Sequence, residues 1–181
     1  TNDDELAAFA RTYRLHGMTA DAATRYRPGG SAGYDLVEPG IKANLPDVLA
    51  ALARSQLERF DTMQARRREI LRQYRSMLEP SSLRFVPETE SLGSADHLAV
   101  VILPEHTDRD AVLSGLKAAG VHPSVHFRPL HQFTWFIDHV DIGPSGLPVC
   151  DAMSPRALSL PLHVGLSNGD VARVCSELMR I

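Results

Sequence analysis

Lysine is almost missing from this chain. Of its 19 basic residues only Lys42 and Lys117 are lysines, so any chemistry that needs a side-chain amine has two positions to choose from. Cysteine is equally scarce: Cys150 and Cys175 are too few for a disulfide framework and are not spaced as zinc ligands, which leaves two reduced thiols. An excess of basic charge is lacking as well. A net charge of −3 gives no electrostatic case for nucleic acid or an anionic membrane surface as a partner. No apolar run approaches the ~20 residues of a membrane span and no signal-peptide pattern is seen, so a cytoplasmic location without a membrane partner is expected. What is present is ordinary for one globular core: 181 residues, 44% of them hydrophobic.

The chain is organised around Pro39-Gly-Ile-Lys-Ala-Asn-Leu-Pro-Asp47 and the helix this stretch launches. Pro46 suits a first helical turn, whose N–H groups lack partners, and Asp47 complements the helix dipole. Val48, Leu49, Leu52, Gln56, Leu57, Phe60 and Met63 then step at three and four, as one buried face requires. The rhythm resumes at Ile70, Leu71, Tyr74 and Leu78, which predicts one helix running to about Leu78. Ahead of it, a short helix carries Leu6, Phe9, Ala10 and Tyr13, with Gly17 as a left-handed terminator. Residues 18–44 are rich in glycine and proline. Gly29-Gly-Ser-Ala-Gly33 follows no strand, so it reads as a loop and not as a nucleotide fingerprint.

Beyond the long helix, Arg84–Val86 and His97–Leu103 read as strands around a polar loop. Thr107 is the expected cap of a helix with Val112, Leu113 and Leu116 inside, stopped at Gly120. Val121–Phe127 reads as the next strand, with Pro123 at an edge or start. Residues 129–137 are aromatic-rich and of undecided type, and Ala157–Leu162 is a short strand. Ser167 and Asp170 form a capping box for a last helix built on Val171, Val174 and Leu178. Strand, helix and strand with short connections describe a small α/β layer.

His122, His126 and His131 are the candidate chemistry. No carboxylate or thiol completes a familiar metal-ligand spacing with them, so no metal site is expected. On a strand His122 and His126 would share a face with Arg128, able to bind an anionic or polyhydroxylated ligand. Equally, they can be ordinary surface or core histidines. Neither Ser154 nor Ser159 has a nucleophile-elbow context, Cys150 has no histidine beside it, and Arg66-Arg-Arg68 reads as a solvated helix face.

Five phrases, in order, resemble the DegT/DnrJ/EryC1/StrS family of sugar-nucleotide aminotransferases. They are Thr1–Leu6 with Arg14-Leu-His-Gly17; Gly33-Tyr34 with Pro39–Asp47 and its helix; His126-Phe-Arg-Pro-Leu-His131; Leu158-Ser-Leu-Pro-Leu162; and the Ser167 helix. The resemblance implies the C-terminal portion of a fold-type-I, α/β enzyme. Residues 1–45 would be a remnant of the large cofactor domain and its loop, 46–79 a long connecting helix, and 80–181 a small α/β domain with a short sheet and flanking helices. It further implies pyridoxal 5'-phosphate as cofactor and a nucleotide-linked keto-sugar as substrate, with glutamate or a similar amino donor.

In the family a lysine bonds the cofactor aldehyde and moves protons. Neither Lys42 nor Lys117 matches it, so covalent cofactor binding and a catalytic residue are not expected within this chain. Asn44 matches the asparagine that reaches the partner subunit's cofactor phosphate, where an amide supplies donors without a charge. His126 and His131 match the substrate-side motif, with Arg128 between them; Tyr34 and Lys42 are further cleft candidates. Two residues depart from the pattern: Ala43 stands where an aromatic is usual, and Arg54 where a small or apolar residue is usual. The implied function is that of an aminotransferase half, inactive alone and self-associated or homodimeric, which is either a truncated fragment or a chain working beside a separately encoded N-terminal half. The other reading is a non-catalytic sugar-nucleotide-binding or regulatory remnant.

Overall fold

A computed structural model describes residues 1–19, 25, 27–29, 33–86 and 93–180. The glycine-rich loop at 30–32 and the start of the polar loop at 88–92 lie outside the described residues. The chain divides into two compact units, Thr1–Glu58 and Arg59–Ile181.

In the first unit, α1 (Asp4–Tyr13) is capped by the Asp3 carboxylate, which accepts from the Leu6 N–H at 3.0 Å, and Asp4 and Glu5 complement the dipole. The chain then turns at Gly17, whose φ of 78° is left-handed. Residues 37–43 run beside 13–17 through backbone bonds: Ile41 N–H to Tyr13 O at 2.8 Å, His16 N–H to Ile41 O at 2.9 Å, Ala43 N–H to Arg14 O at 2.8 Å. Only glycine fits at Gly40, because a Cβ there would lie 2.2 Å from the Gly17 nitrogen. This backbone clasp leads into α2 (Asp47–Glu58). Neither α1 nor α2 buries a residue, so the expected inner face at Val48, Leu49, Leu52 and Leu57 is exposed. The periodicity marks a face that suits a cover; no cover lies among the described residues.

The single helix expected through Leu78 is interrupted. Arg59 leaves helical geometry (φ −103°, ψ 1°), and α3 (Phe60–Leu78) opens the second unit. Next come β1 (Arg84–Phe85), β2 (Ala99–Ile102), α4 (Arg109–Ala118), a 3-10 turn (Leu130–Gln132), α5 (Thr134–His139), α6 (Pro148–Met153), a second 3-10 turn (Ser154–Arg156), β3 (Ala157–Leu160) and α7 (Asn168–Arg180). The three strands form an antiparallel sheet in the order β1-β2-β3, with Arg84 opposite Ile102, Val101 opposite Leu158 and Val100 opposite Ser159. Ala99 and Val101 of β2 with Leu158 and Leu160 of β3 meet α3 (Ile70, Tyr74), α4 (Val112, Leu116) and α7 (Val171, Val174) in one core. The Tyr74 hydroxyl donates to Pro161 O at 2.9 Å, and burial pushes its acidity well out of the ordinary range. Burial likewise pushes the Cys175 thiol up to about 11.

Helix ends are chemically specified. Asp108, one residue past the expected Thr107, caps α4 by accepting from the Asp110 and Ala111 N–H groups. At its other end Gly120 (φ 74°) completes a Schellman motif, with Gly120 N–H on Lys117 O and Val121 N–H on Leu116 O. Ser167 and Asp170 form the anticipated capping box of α7. Of the three arginines expected on a solvated face, Arg66 instead ties α3 to the start of α7 through Leu166 O and Asn168, Arg67 bonds Gln64 within α3, and the exposed Arg68 pairs with Asp96 at 3.1 Å. Among the described residues no helix is long and apolar enough to cross a membrane.

Candidate functional site

The stretch 121–127 is not the strand its composition suggests. Pro123 has no N–H to give a ladder, and pairing shrinks to one bridge, Ser124 against Ser159 on the free edge of β3. That bridge positions the chemistry. Ser159 lies between Leu158 and Leu160, whose side chains enter the core, so alternation sends its hydroxyl to the opposite side of the sheet. There it meets His126 Nδ1 at 3.0 Å, and the Ser124 hydroxyl lies 3.3 Å from the same nitrogen. The His126 ring is thereby fixed through Nδ1, with Nε2 left over for a ligand. Phe127 packs edge-on against the imidazole with ring centroids 4.9 Å apart, its own surface largely exposed.

His131, in the 3-10 turn, is fixed from its other nitrogen. Its Nε2 lies 2.7 Å from Asp151 Oδ1 on α6. A carboxylate only accepts, so Nε2 carries the hydrogen and, in the neutral ring, Nδ1 is an acceptor. Arg128 lies between the two histidines in sequence. Its Nη2 donates to Gln132 O at 2.6 Å, and its guanidinium sits 5.1 Å over the Phe133 ring. His122 does not join them: it is exposed and lines a separate hollow with His163, Asp170 and Arg173. Among the described residues no three His, Cys, Asp or Glu side chains converge as metal ligands.

The other candidates belong to the first unit. Lys42 is held by its backbone, bridged to Leu15 in the clasp made possible by Gly17 and Gly40, and its side chain is exposed. Asn44 follows two residues on, exposed, and among the described residues its amide makes no hydrogen bond. Tyr34 is half-exposed, with the Arg25 guanidinium 4.7 Å over its ring.

Three residues that sequence reasoning missed, Ser124, Ser159 and Asp151, orient the histidines. A signal for Ser159 was available: a serine flanked by leucines in a strand faces away from the core. Asp151 carried none, because the 20 positions separating it from His131 close only in three dimensions.

The model of the DegT/DnrJ/EryC1/StrS aminotransferase family matches residues 1–179. Spr1654 of Streptococcus pneumoniae, described as a sugar aminotransferase and solved in its PMP form, is 28% identical with a TM-score of 0.86, over 98% of this chain and 45% of that one. The aminotransferase TlmJ of Streptoalloteichus hindustanus is 29% identical (TM-score 0.83; 99% and 45% covered). A DegT DnrJ EryC1 StrS aminotransferase of Brucella abortus is 28% identical (TM-score 0.82; 99% and 44% covered). The chain thus spans less than half the length of these proteins, and its mixed α/β fold with a three-stranded antiparallel sheet corresponds to part of theirs. With the match running through nearly every element described above, the chain belongs to the DegT/DnrJ/EryC1/StrS aminotransferase family.

Proposed function

We propose that this chain acts as the C-terminal half of a pyridoxal-phosphate-dependent aminotransferase of nucleotide-linked keto-sugars, such as a dTDP-4-keto-6-deoxyhexose. Alone it is inactive, and turnover needs a lysine-bearing N-terminal half. The observation that carries this reading is the fixed histidine pair. His126 is held through Nδ1 and His131 through Nε2, which leaves one ring nitrogen on each for a polar substrate. Imidazole nitrogens and the Arg128 guanidinium suit the hydroxyls and anionic groups of a sugar nucleotide.

The described residues fit one edge of the cofactor. The exposed Asn44 amide has free donors for a phosphate oxygen, whereas Lys42 and Lys117 are both exposed and Lys117 sits in the last turn of α4. When bound, pyridoxal phosphate supplies the electron sink and carries the amino group. In this reading the first unit offers Asn44 to a phosphate across a dimer, with Tyr34 and Lys42 as its further substrate-binding candidates, and the second unit orients the sugar nucleotide at His126, Arg128 and His131. Self-association, as a homodimer, is supported by the exposed apolar residues of α1 and α2, Leu6, Phe9, Leu49, Leu52 and Leu57.

The test is to mix the purified chain with pyridoxal phosphate, reduce with borohydride and map labelled lysines. Stoichiometric labelling at neither Lys42 nor Lys117 is expected, and adding a lysine-bearing N-terminal half should restore amino transfer to a keto-sugar nucleotide. A stoichiometric adduct on this chain, with turnover by the chain alone, would overturn the half-enzyme reading. Sugar-nucleotide binding that never yields turnover after complementation would favour a non-catalytic, regulatory remnant.

A further inference from the structure

Between Phe127 and Val149 the second unit turns its apolar side chains outward. Nine large ones are 41–76% exposed, and Phe127, Leu130, Trp135, Ile137 and Val149 reach 60% or more. At roughly 200 Å² for each side chain when fully exposed, they present on the order of 1,000 Å². The largest apolar patch of a typical monomer is about 300–600 Å², and a standard protein interface uses about 800 Å² per partner.

The local structure calls for a cover too. α5 is six residues long, lacks a side-chain cap and buries nothing. Helices that short do not stand alone in water. The 3-10 turn at Leu130–Gln132 and α6 bury nothing either. Trp135 and His139 stack on one side of α5 with ring centroids 4.5 Å apart. Phe133, Ile137 and Val140 recur at four and three on the other side, so both sides are apolar. The pieces are linked: the Arg128 guanidinium lies over Phe133, and His131 ties the 3-10 turn to Asp151 of α6.

The occupant follows from where this face lies. Arg128 and His131 stand within it and His126 borders it, so whatever covers it stands at the mouth of the histidine site. Amino transfer needs the sugar and the cofactor within bonding distance, and neither lysine of this chain matches the cofactor anchor. The part that bears that lysine must therefore pack against this segment. Relatives such as Spr1654 are more than twice as long as this chain, which leaves ample polypeptide for such a cover. We propose that residues 127–149 form the face on which a cofactor-bearing N-terminal half docks, shielding the histidine pair from water. This inference rests on the half-enzyme reading and names where its partner sits.

The test co-expresses the full, affinity-tagged chain with the N-terminal part of Spr1654, the portion beyond the 45% matched by this chain. The two should co-purify, and amide hydrogen exchange over 127–149 should slow about tenfold or more in the complex. Trp135→Ser and Val149→Ser should each weaken binding about tenfold, whereas Met179→Ser, an exposed apolar position on α7, should leave it unchanged. Circular dichroism confirms that each variant folds. Protection at 127–149 without amino transfer would uphold the docking face and count against the half-enzyme reading; turnover with protection only elsewhere would do the reverse. The face is overturned if the two parts do not co-purify, or if both serine variants on it bind within about twofold of the parent. It is also overturned if Trp135, the only tryptophan, becomes shielded from iodide as the chain alone is concentrated, which would assign the face to a second copy.

Discussion

Replacing Ile70 with alanine should lower the unfolding free energy by about 2–5 kcal/mol. Ile70 is 0% exposed and lies on the α3 face shared with Leu71, Tyr74 and Leu78, at the centre of the second unit's core. The change removes three carbons, and at about 0.8 kcal/mol per buried methylene the transfer term alone is about 2.4 kcal/mol. The remainder depends on how far α7 and the sheet relax into the cavity. Leu52→Ala on α2 is the matched control. It starts from a side chain 57% exposed and should change stability by no more than about 0.5 kcal/mol. Urea denaturation followed by circular dichroism reads both, at a concentration where the chain is monomeric. With slopes of about 1–3 kcal/mol per molar, a loss near 3 kcal/mol moves the midpoint by about 1–3 M. A cost below about 1 kcal/mol for Ile70→Ala would refute the packing of α3 against the sheet. A Leu52→Ala cost equal to it would refute the claim that α2 is uncovered.

Two further outcomes follow from acid–base linkage. The hydroxyl and then the N–H of Ser167 hold the Asp170 carboxyl below its ordinary value of 3.8. A depressed carboxyl gives stability that is present above the unfolded pKa and lost as pH falls through the folded one. Ser167→Ala should therefore flatten the acid limb of the stability profile below about pH 4, and an Asp170 titration by NMR that did not rise would contradict it. Burial raises Cys175 from 9.0 to about 11, so its contribution is full below pH 9 and lost as pH climbs to about 11. A thiol reagent at neutral pH should accordingly modify Cys150 quickly and Cys175 only on unfolding; two equally fast thiols would refute that burial.

Much of the fold was legible because its signals are local. Asp3, Gly17, Gly120 and the Ser167–Asp170 box act within a turn of where they stand, and each marks a helix end in the structure. Three of the four expected strands were found but came out shorter, and the fourth, 121–127, shrank to the single Ser124–Ser159 bridge, where Pro123 has no N–H to offer a ladder. The helix break at Arg59 was not legible: the three-and-four rhythm runs straight through it, and the residues on either side serve different compact units. Of the candidate site, the histidines and Asn44 could be named from motif wording, while Asp151 and Ser124 depend on contacts across the chain. Arg109, at the start of α4, reaches Ser154 O of the second 3-10 turn at 2.9 Å across 45 positions, a contact no local pattern announces.

Arg54 shows how a local departure can carry its own compensation. A lone arginine on a helix face that becomes covered is expensive, because the charge must be stripped of water without a partner. Here Arg54 Nε lies 3.4 Å from Glu58 Oε1, one turn further along α2. Both side chains are well exposed, so the pair adds little to the stability of the isolated chain. If a second copy covers this face, however, Arg54 enters with its counter-charge already in place, and the cost is that of a pair and not of an orphan. Of the exposed apolar residues of α2 only Leu57, three residues on, shares the side of Arg54, whereas Leu49 and Leu52 lie round the helix from it and gain from a cover without meeting the charge. The substitution at Arg54 therefore shifts the balance of the proposed interface toward a more polar seam without abolishing its driving force.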